Sequence, residues 1–310
     1  MEAADSCIDR LRGEPHRGAM NAPSTPRLPV FYRPEMVARP RSYSPSAEKP
    51  ARVVDDWLAL GLPIELIAPE PVSEAELGRA HDPDFVRAVL ASKRDNGFGD
   101  RSPEVAASLP YTTGAMLSAA RWVLERGGIA CAPCSGFHHA GYARAAGYCT
   151  FNGLVVTALA LLSEERVRRV AILDCDQHHG DGTEEPLRRL ERRASVHHFS
   201  AGESFHARAQ VPAFFERLAR ELDEAAACDL VLYQAGADPH VDDPLGGWLT
   251  TDELRLRDEL VFDTLAARGV PVVWNLAGGY QREPDGSIPE VLRIHANTAR
   301  ASLRALSRRG

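Results

Sequence analysis

Apolar and polar positions alternate between two rhythms along this chain. Short unbroken apolar runs, rich in β-branched residues, recur at Val30-Phe31-Tyr32, 167–174, 195–199, 230–233 and 270–276. Runs of that kind read as strands buried on both faces. Between them lie segments with helical patterning. The first, 48–61, carries Val53, Val54, Trp57, Leu58 and Leu60. A second, 83–93, opens with Pro83 behind a capping Asp82, and a third, 113–126, ends at Gly127-Gly128. Further helices are expected at 151–164, 212–227, 252–268 and 289–306. Strands separated by helices of this length pair in parallel through right-handed crossovers. The pattern therefore predicts an α/β fold, an open parallel sheet with helices on both faces.

No repeat and no Pro/Ser-rich linker interrupts the alternation, which predicts a single catalytic domain over 30–310. Residues 1–29 are rich in Pro, Arg, Ser and Ala without a continuous apolar core. That composition predicts a flexible N-terminal tail rather than a secretory signal, and a cytoplasmic location is the default expectation. Across the 310 residues, 44% are hydrophobic and 25% charged, ordinary values for a globular protein. The formal charge of −7 argues against charge-driven nucleic-acid binding and mildly favours cationic substrates. No apolar run approaches the ~20 residues that span a bilayer. Six cysteines fall at 7, 131, 134, 149, 175 and 228. Cys131 and Cys134 form a lone C-x-x-C with no second pair, so they read as small buried thiols rather than a structural zinc site.

Chemistry gathers where strands end. Asp174, Asp176 and His178 fall at i, i+2 and i+4. In an extended chain they share one face, roughly 7 Å apart per pair of residues. Carboxylates and an imidazole clustered there are costly to bury unless a cation holds them, so a divalent metal site is expected. His179 and Asp181 follow; His138 and His139 stand in a loop; Asp238 lies just past another strand; and Asn275-Leu-Ala-Gly-Gly-Tyr280 ends a third. Open sheets of this class bind ligands at the carboxyl ends of their strands. The inventory is metal ligands, a base and an oxyanion donor. Taken alone, Asp238 could be a helix N-cap and Tyr280 a packed turn aromatic. His197, His198, His206 and His240 read as surface or structural residues.

These motifs together resemble the zinc-dependent histone deacetylase and acetylpolyamine amidohydrolase family, of bacterial type. The resemblance runs from about residue 28 to the C-terminal helix. It rests on Pro-Ser-Ala-Glu-Lys-Pro-Ala-Arg (45–52), His81-Asp-Pro-Asp-Phe-Val86 and Gly-Phe-His-His-Ala (136–140). It continues through Gly-Tyr-Cys-Thr-Phe-Asn (147–152), Asp-x-Asp-x-His-His-Gly-Asp-Gly (174–182), Ala-Gly-Ala-Asp (235–238) and Gly-Gly-Tyr280. It implies an arginase/deacetylase-like three-layer α/β/α fold. Asp176, His178 and Asp238 would bind Zn2+, with Fe2+ left open because this donor set suits either. His139 would serve as general base and then acid, His138 would supply positive charge, and Asp174 and Asp181 would orient the two. Tyr280 would donate to the developing oxyanion. A K+ site would use Asp174, Asp176 and His178 with Ser195 and Val196. Tyr148, Gly147, Asp100, Phe205 and Gly279 would contact substrate, an acylated lysine peptide or protein or an acetylpolyamine.

The chain departs from that pattern between 200 and 211, where only a dozen residues stand in place of a longer glycine-rich stretch. In relatives that stretch supplies the second aromatic wall of the substrate tunnel. Phe205 or His206 is expected to substitute, or the pocket to be more open. Two other readings stay beside the amidohydrolase. An arginase-like ureohydrolase would need two metals, and a non-catalytic module would only bind acylated ligands.

Overall fold

The computed structural model describes residues 26–192 and 194–308. Residues 1–25, with Cys7 and most of the expected tail, lie outside the described residues. The apolar runs become strands because both faces are covered: every residue of 170–174 and 230–236 is buried. Seven strands form one all-parallel sheet: β1 (Leu28–Phe31), β2 (Ile64–Ile67), β3 (Ile129–Ala132), β4 (Val170–Asp174), β5 (Val196–Ser200), β6 (Leu230–Gly236) and β7 (Val272–Ala277). Their order is β2-β1-β3-β7-β6-β4-β5.

The helices are α1 (Lys49–Ala59), α2 (Glu74–Leu77), α3 (Pro83–Leu90), α4 (Pro103–Arg126), α5 (Gly153–Ser163), α6 (Asp181–Arg189), α7 (Val211–Ala225), α8 (Thr251–Ala267) and α9 (Pro289–Ser307). One apolar layer gathers side chains of α1, α7, α8 and α9 around Trp57, Phe214, Phe262 and Trp274. The other gathers α3, α4 and α5 around Phe85, Met116 and Leu154. The expected three-layer α/β/α arrangement is what forms.

Local signals fix the helix starts. Asp82 accepts from the amides of Asp84 and Phe85, Asn152 from Val155, and Thr250 from Glu253, each satisfying donors that no helical carbonyl can reach. The helix expected at 113–126 starts ten residues earlier. Ser102 caps it, Pro103 opens it, and Pro110 is carried inside it. A proline within a helical pattern normally argues for a break, which hid this first stretch. β2 and β3, four residues each, were not anticipated. They are too short for periodicity to register.

The sheet order brings four carboxyl ends side by side. β3, β7, β6 and β4 are consecutive neighbours, and the histidine loop, the Gly-Gly-Tyr turn, Asp238 and the Asp-x-Asp-x-His run each follow one of them.

Candidate active site

Asp176, His178 and Asp238 converge as expected, with one donor atom from each lying within 4.8 Å of the others. Both carboxylates are buried. Two unit charges at that separation repel by about 3–4 kcal/mol at an effective dielectric of 20. Burial, and Asp176 beside it, push the Asp238 carboxyl above the usual carboxylate range. His178 Nδ1 sits 3.2 Å from Asp176 Oδ1 and 3.0 Å from Asp238 Oδ2. Those two contacts raise the imidazole to about 10. The cluster thus draws in whatever positive charge is near. Gly278 closes its far side: a Cβ there would lie 2.0–2.4 Å from the Asp238 carboxylate. Two carboxylates and an imidazole, crowded at one point and shielded from side chains, fit a divalent ion.

The tandem histidines stand beside this set. His138 Nδ1 lies 2.7 Å from Asp174 Oδ2, and His139 Nδ1 2.9 Å from Asp181 Oδ1. The two rings are 4.1 Å apart, and His139 is 5.8 Å from His178. Burial alone would depress both imidazoles. At His138 the charges of Asp174 and Asp176 outweigh it and lift the group to about 9. At His139, burial and the neighbouring His138 win, and the group is lowered. The carboxylates are themselves held: Asp174 Oδ1 accepts from the Asp176 amide and Gln234 Nε2, each at 3.1 Å, and Asp181 Oδ2 from Arg144 at 2.7 Å.

Tyr280 is buried, and its amide donates to Asp243 Oδ2 at 2.8 Å. Burial and the acids Asp238 and Asp176 raise its hydroxyl well above the usual tyrosine range, so it stays protonated and able to donate. Its ring lies 5.8 Å from Tyr148. Tyr148 takes a left-handed backbone, φ 63°, uncommon for a bulky residue; its amide is tied to the Gly97 carbonyl at 2.9 Å. Gly147 packs so closely that a Cβ would lie 2.5 Å from His139 Cδ2. Gly279 sits in the turn ahead of Tyr280 with φ +83°. Asp100 does not reach out freely: its Oδ1 accepts from Asn96 Nδ2 at 2.6 Å and the Ser102 amide at 2.9 Å, within its own loop.

Two expectations are corrected. Ser195 and Val196 cannot join Asp174 around a monovalent cation. The register places Val196 opposite Val170, at the start of β4, and it is Ser200 that stands opposite Asp174. Phe205 does not wall the pocket. Its ring is buried, edge-on to Phe214 at 5.5 Å and tilted against Trp248 at 6.0 Å, and His206 is exposed. Besides Tyr280, the ring that meets Tyr148 is Phe98, also 5.8 Å away.

Sequence reasoning also missed Lys49 and His81. Lys49, fully buried, donates to the Gly278 carbonyl; burial lowers its ammonium to about 8 against the opposing pull of Asp238, Asp176 and Asp243. His81 joins two loops, with Nδ1 2.9 Å from the Gly141 carbonyl and Nε2 accepting from the Asn152 amide at 2.8 Å. Both lie in motifs that marked the resemblance, so position was the available signal. His197 and His240 bond Glu221 at 2.7 Å and Thr251 at 2.9 Å, in keeping with structural duty.

A parallel sheet between two helical layers, with carboxylates and imidazoles pooled at four adjacent strand ends, has the arginase–deacetylase type of fold. The histone deacetylase domain matches residues 45–208, and the chain belongs to that family. It is 29% identical over 241 residues to an uncharacterized protein of Picosynechococcus sp., covering 71% of this chain and 80% of that one. It is 28% identical over 157 residues to probable histone deacetylase 1-B of Xenopus laevis, 46% of this chain and 32% of that protein; the match spans about a third of that relative's length. The crystal structure of acetylpolyamine aminohydrolase from Burkholderia pseudomallei superposes with a TM-score of 0.70 at 23% identity, covering 90% of this chain and 99% of that one. No described helix is long and apolar enough to cross a membrane.

Proposed function

We propose that this protein is a metal-dependent amidohydrolase that removes an acyl group from the nitrogen of a lysine-like side chain or a polyamine. The observation that carries the reading is the convergence of Asp176, His178 and Asp238 beside two histidine–carboxylate pairs. Asp176, His178 and Asp238 would hold the ion, which when bound supplies a Lewis acid and a more acidic attacking water. His139 presents Nδ1 to Asp181, leaving Nε2 to take the proton of that water and return it to the departing amine. His138, anchored on Asp174, supplies positive charge as the carbonyl becomes anionic. Tyr280 donates its hydroxyl to the same oxygen. The acidic surroundings suit an amine leaving group.

The ureohydrolase alternative asks for further carboxylates to bridge a second ion. Among the described residues a single group of candidate ligands gathers, and this favours the amidohydrolase. The test is carboxylic-acid release by the metal-loaded protein from an acetyl-lysine peptide, acetylputrescine and longer acyl-lysine peptides, with Tyr280→Phe as control. Release from some members, lost in the control, supports the reading; silence across the panel from folded, metal-loaded protein removes it.

A further inference from the structure

The pairing of β4 with β6 ends at Asp174 opposite Gln234. The two carboxylates that share the candidate metal site lie two and four residues further on. Past that last pair one more backbone bond joins the two chains, from the Cys175 amide to the Gln234 carbonyl at 3.1 Å, while β6 stays with β7 until Gly236 stands opposite Ala277. Beyond it the ladder no longer spaces the arms that carry Asp176 and Asp238, and one bond crosses between them, from the Gln177 amide to Asp238 Oδ1 at 3.2 Å.

Arg257, on the buried face of α8, reaches both arms. Its Nη1 donates to the Cys175 carbonyl at 3.1 Å and to the Gly236 carbonyl at 2.7 Å. One nitrogen, with two hydrogens, thus spans a carbonyl of each arm. Cys175 directly precedes Asp176. The arms are held unusually close, since a Cβ on Gly236 would lie 2.5 Å from Asp176 Cα. The guanidinium is fully buried. Its charge is answered by Asp258, whose Oδ1 lies 2.9 Å from both Nε and Nη2. Asp258 in turn accepts from the Tyr233 hydroxyl at 2.5 Å and Thr298 Oγ1 at 2.6 Å. A buried ion pair is weak support for stability, since apolar side chains of similar volume often do as well. The rigid fork offers what they cannot, a fixed spacing between two carbonyls.

We propose that Arg257 is a positioning residue for the metal centre: it clasps the ends of β4 and β6 so that Asp176 and Asp238 are held at ligating separation. This rests on the metal-site reading above. It acts through the backbone and touches no reacting atom.

The test compares wild type, Arg257→Met, Arg257→Lys and Thr298→Val. Thr298→Val disturbs the same buried network from the side away from the clasp. Zinc affinity is read by competition with a chromophoric chelator, geometry by the visible spectrum of the cobalt-loaded protein, and stability by thermal unfolding of the metal-free form. Arg257→Met is expected to weaken zinc binding at least tenfold and to alter the cobalt spectrum. Arg257→Lys, which keeps the charge but not the fork, falls between it and wild type. Thr298→Val lowers the melting temperature while leaving affinity within twofold and the spectrum unchanged. Affinity within twofold of wild type in a folded Arg257→Met protein overturns the proposal. If Arg257→Met does not fold, Arg257→Lys decides on the same criterion. Failure of both to fold also overturns it, since Arg257 would then serve the fold and not the site. A wild type that binds neither zinc nor cobalt removes the metal-site reading itself.

Discussion

The floor of the candidate site and its mouth are built differently. On the floor, Asp174, Asp176, Asp238 and His138 are buried, and each has named partners within hydrogen-bond reach. At the mouth, Tyr43 is 52% exposed, tied in through a bond from its hydroxyl to the Tyr280 carbonyl, at 3.3 Å. Floor groups are locked because an unpaired charge there is costly. Mouth residues meet water whichever way they turn. Chemistry is therefore over-determined by the fold, and selectivity is left to side chains that can vary.

The sharpest way to break the comparison is to remove a floor carboxylate. Asp238→Ala is expected to abolish metal retention and cut turnover by roughly 10³-fold or more, measured by metal content and acid release; a metal-free variant with near wild-type rates would contradict it. Tyr280→Phe removes a single donor and should cost about 10²–10³-fold in kcat, with the melting temperature almost unmoved. Asp181→Asn leaves His139 in place but loosens its orientation, with an expected loss of about 10–100-fold and metal content unchanged.

The scaffold beneath the floor should respond to acid. Burial lowers His81 to about 4, below the ordinary value of about 6.5. The unfolded chain therefore takes up a proton that the folded one resists. The stability is present above about pH 6.5 and is lost as the pH falls toward 4, by about 3 kcal/mol at most from this group. His81→Gln should flatten the fall in melting temperature over that window, and an unchanged profile would show that His81 is not responsible. At the mouth, effects should be smallest. Phe98→Ala should shift the kcat/KM ratio between acetyl and longer acyl substrates by about tenfold, with kcat for the better substrate within about twofold.

The same division governs what the sequence discloses. The run from Val170 to His178 announces both its strand and its ligands, because β-branched apolar residues and period-2 carboxylates each carry a local signal. Ile129-Ala-Cys-Ala carries none, and it becomes a central strand only because α4, β1 and β7 surround it. Ser195 and Val196 stand five and four residues before Ser200, which the ladder pairs with Asp174; pairing register is a property of two strands and not of either alone. The resemblance offers Phe205 or His206 as the second wall, whereas in a segment this short Phe205 joins the Phe214–Trp248 cluster. Phe98 was overlooked because its meeting with Tyr148 depends on where two distant loops pack. Arg257 stands in an expected helix with no local mark of its role, and only the fold buries it.

The most direct test of the account is acid release before and after stripping the ion. The metal-loaded protein should hydrolyse at least one acyl-lysine or acylpolyamine substrate, fall silent on chelation and recover on addition of about one divalent ion per chain. Turnover that persists in protein shown to be metal-free would contradict the assignment of Asp176, His178 and Asp238 as the centre of the chemistry.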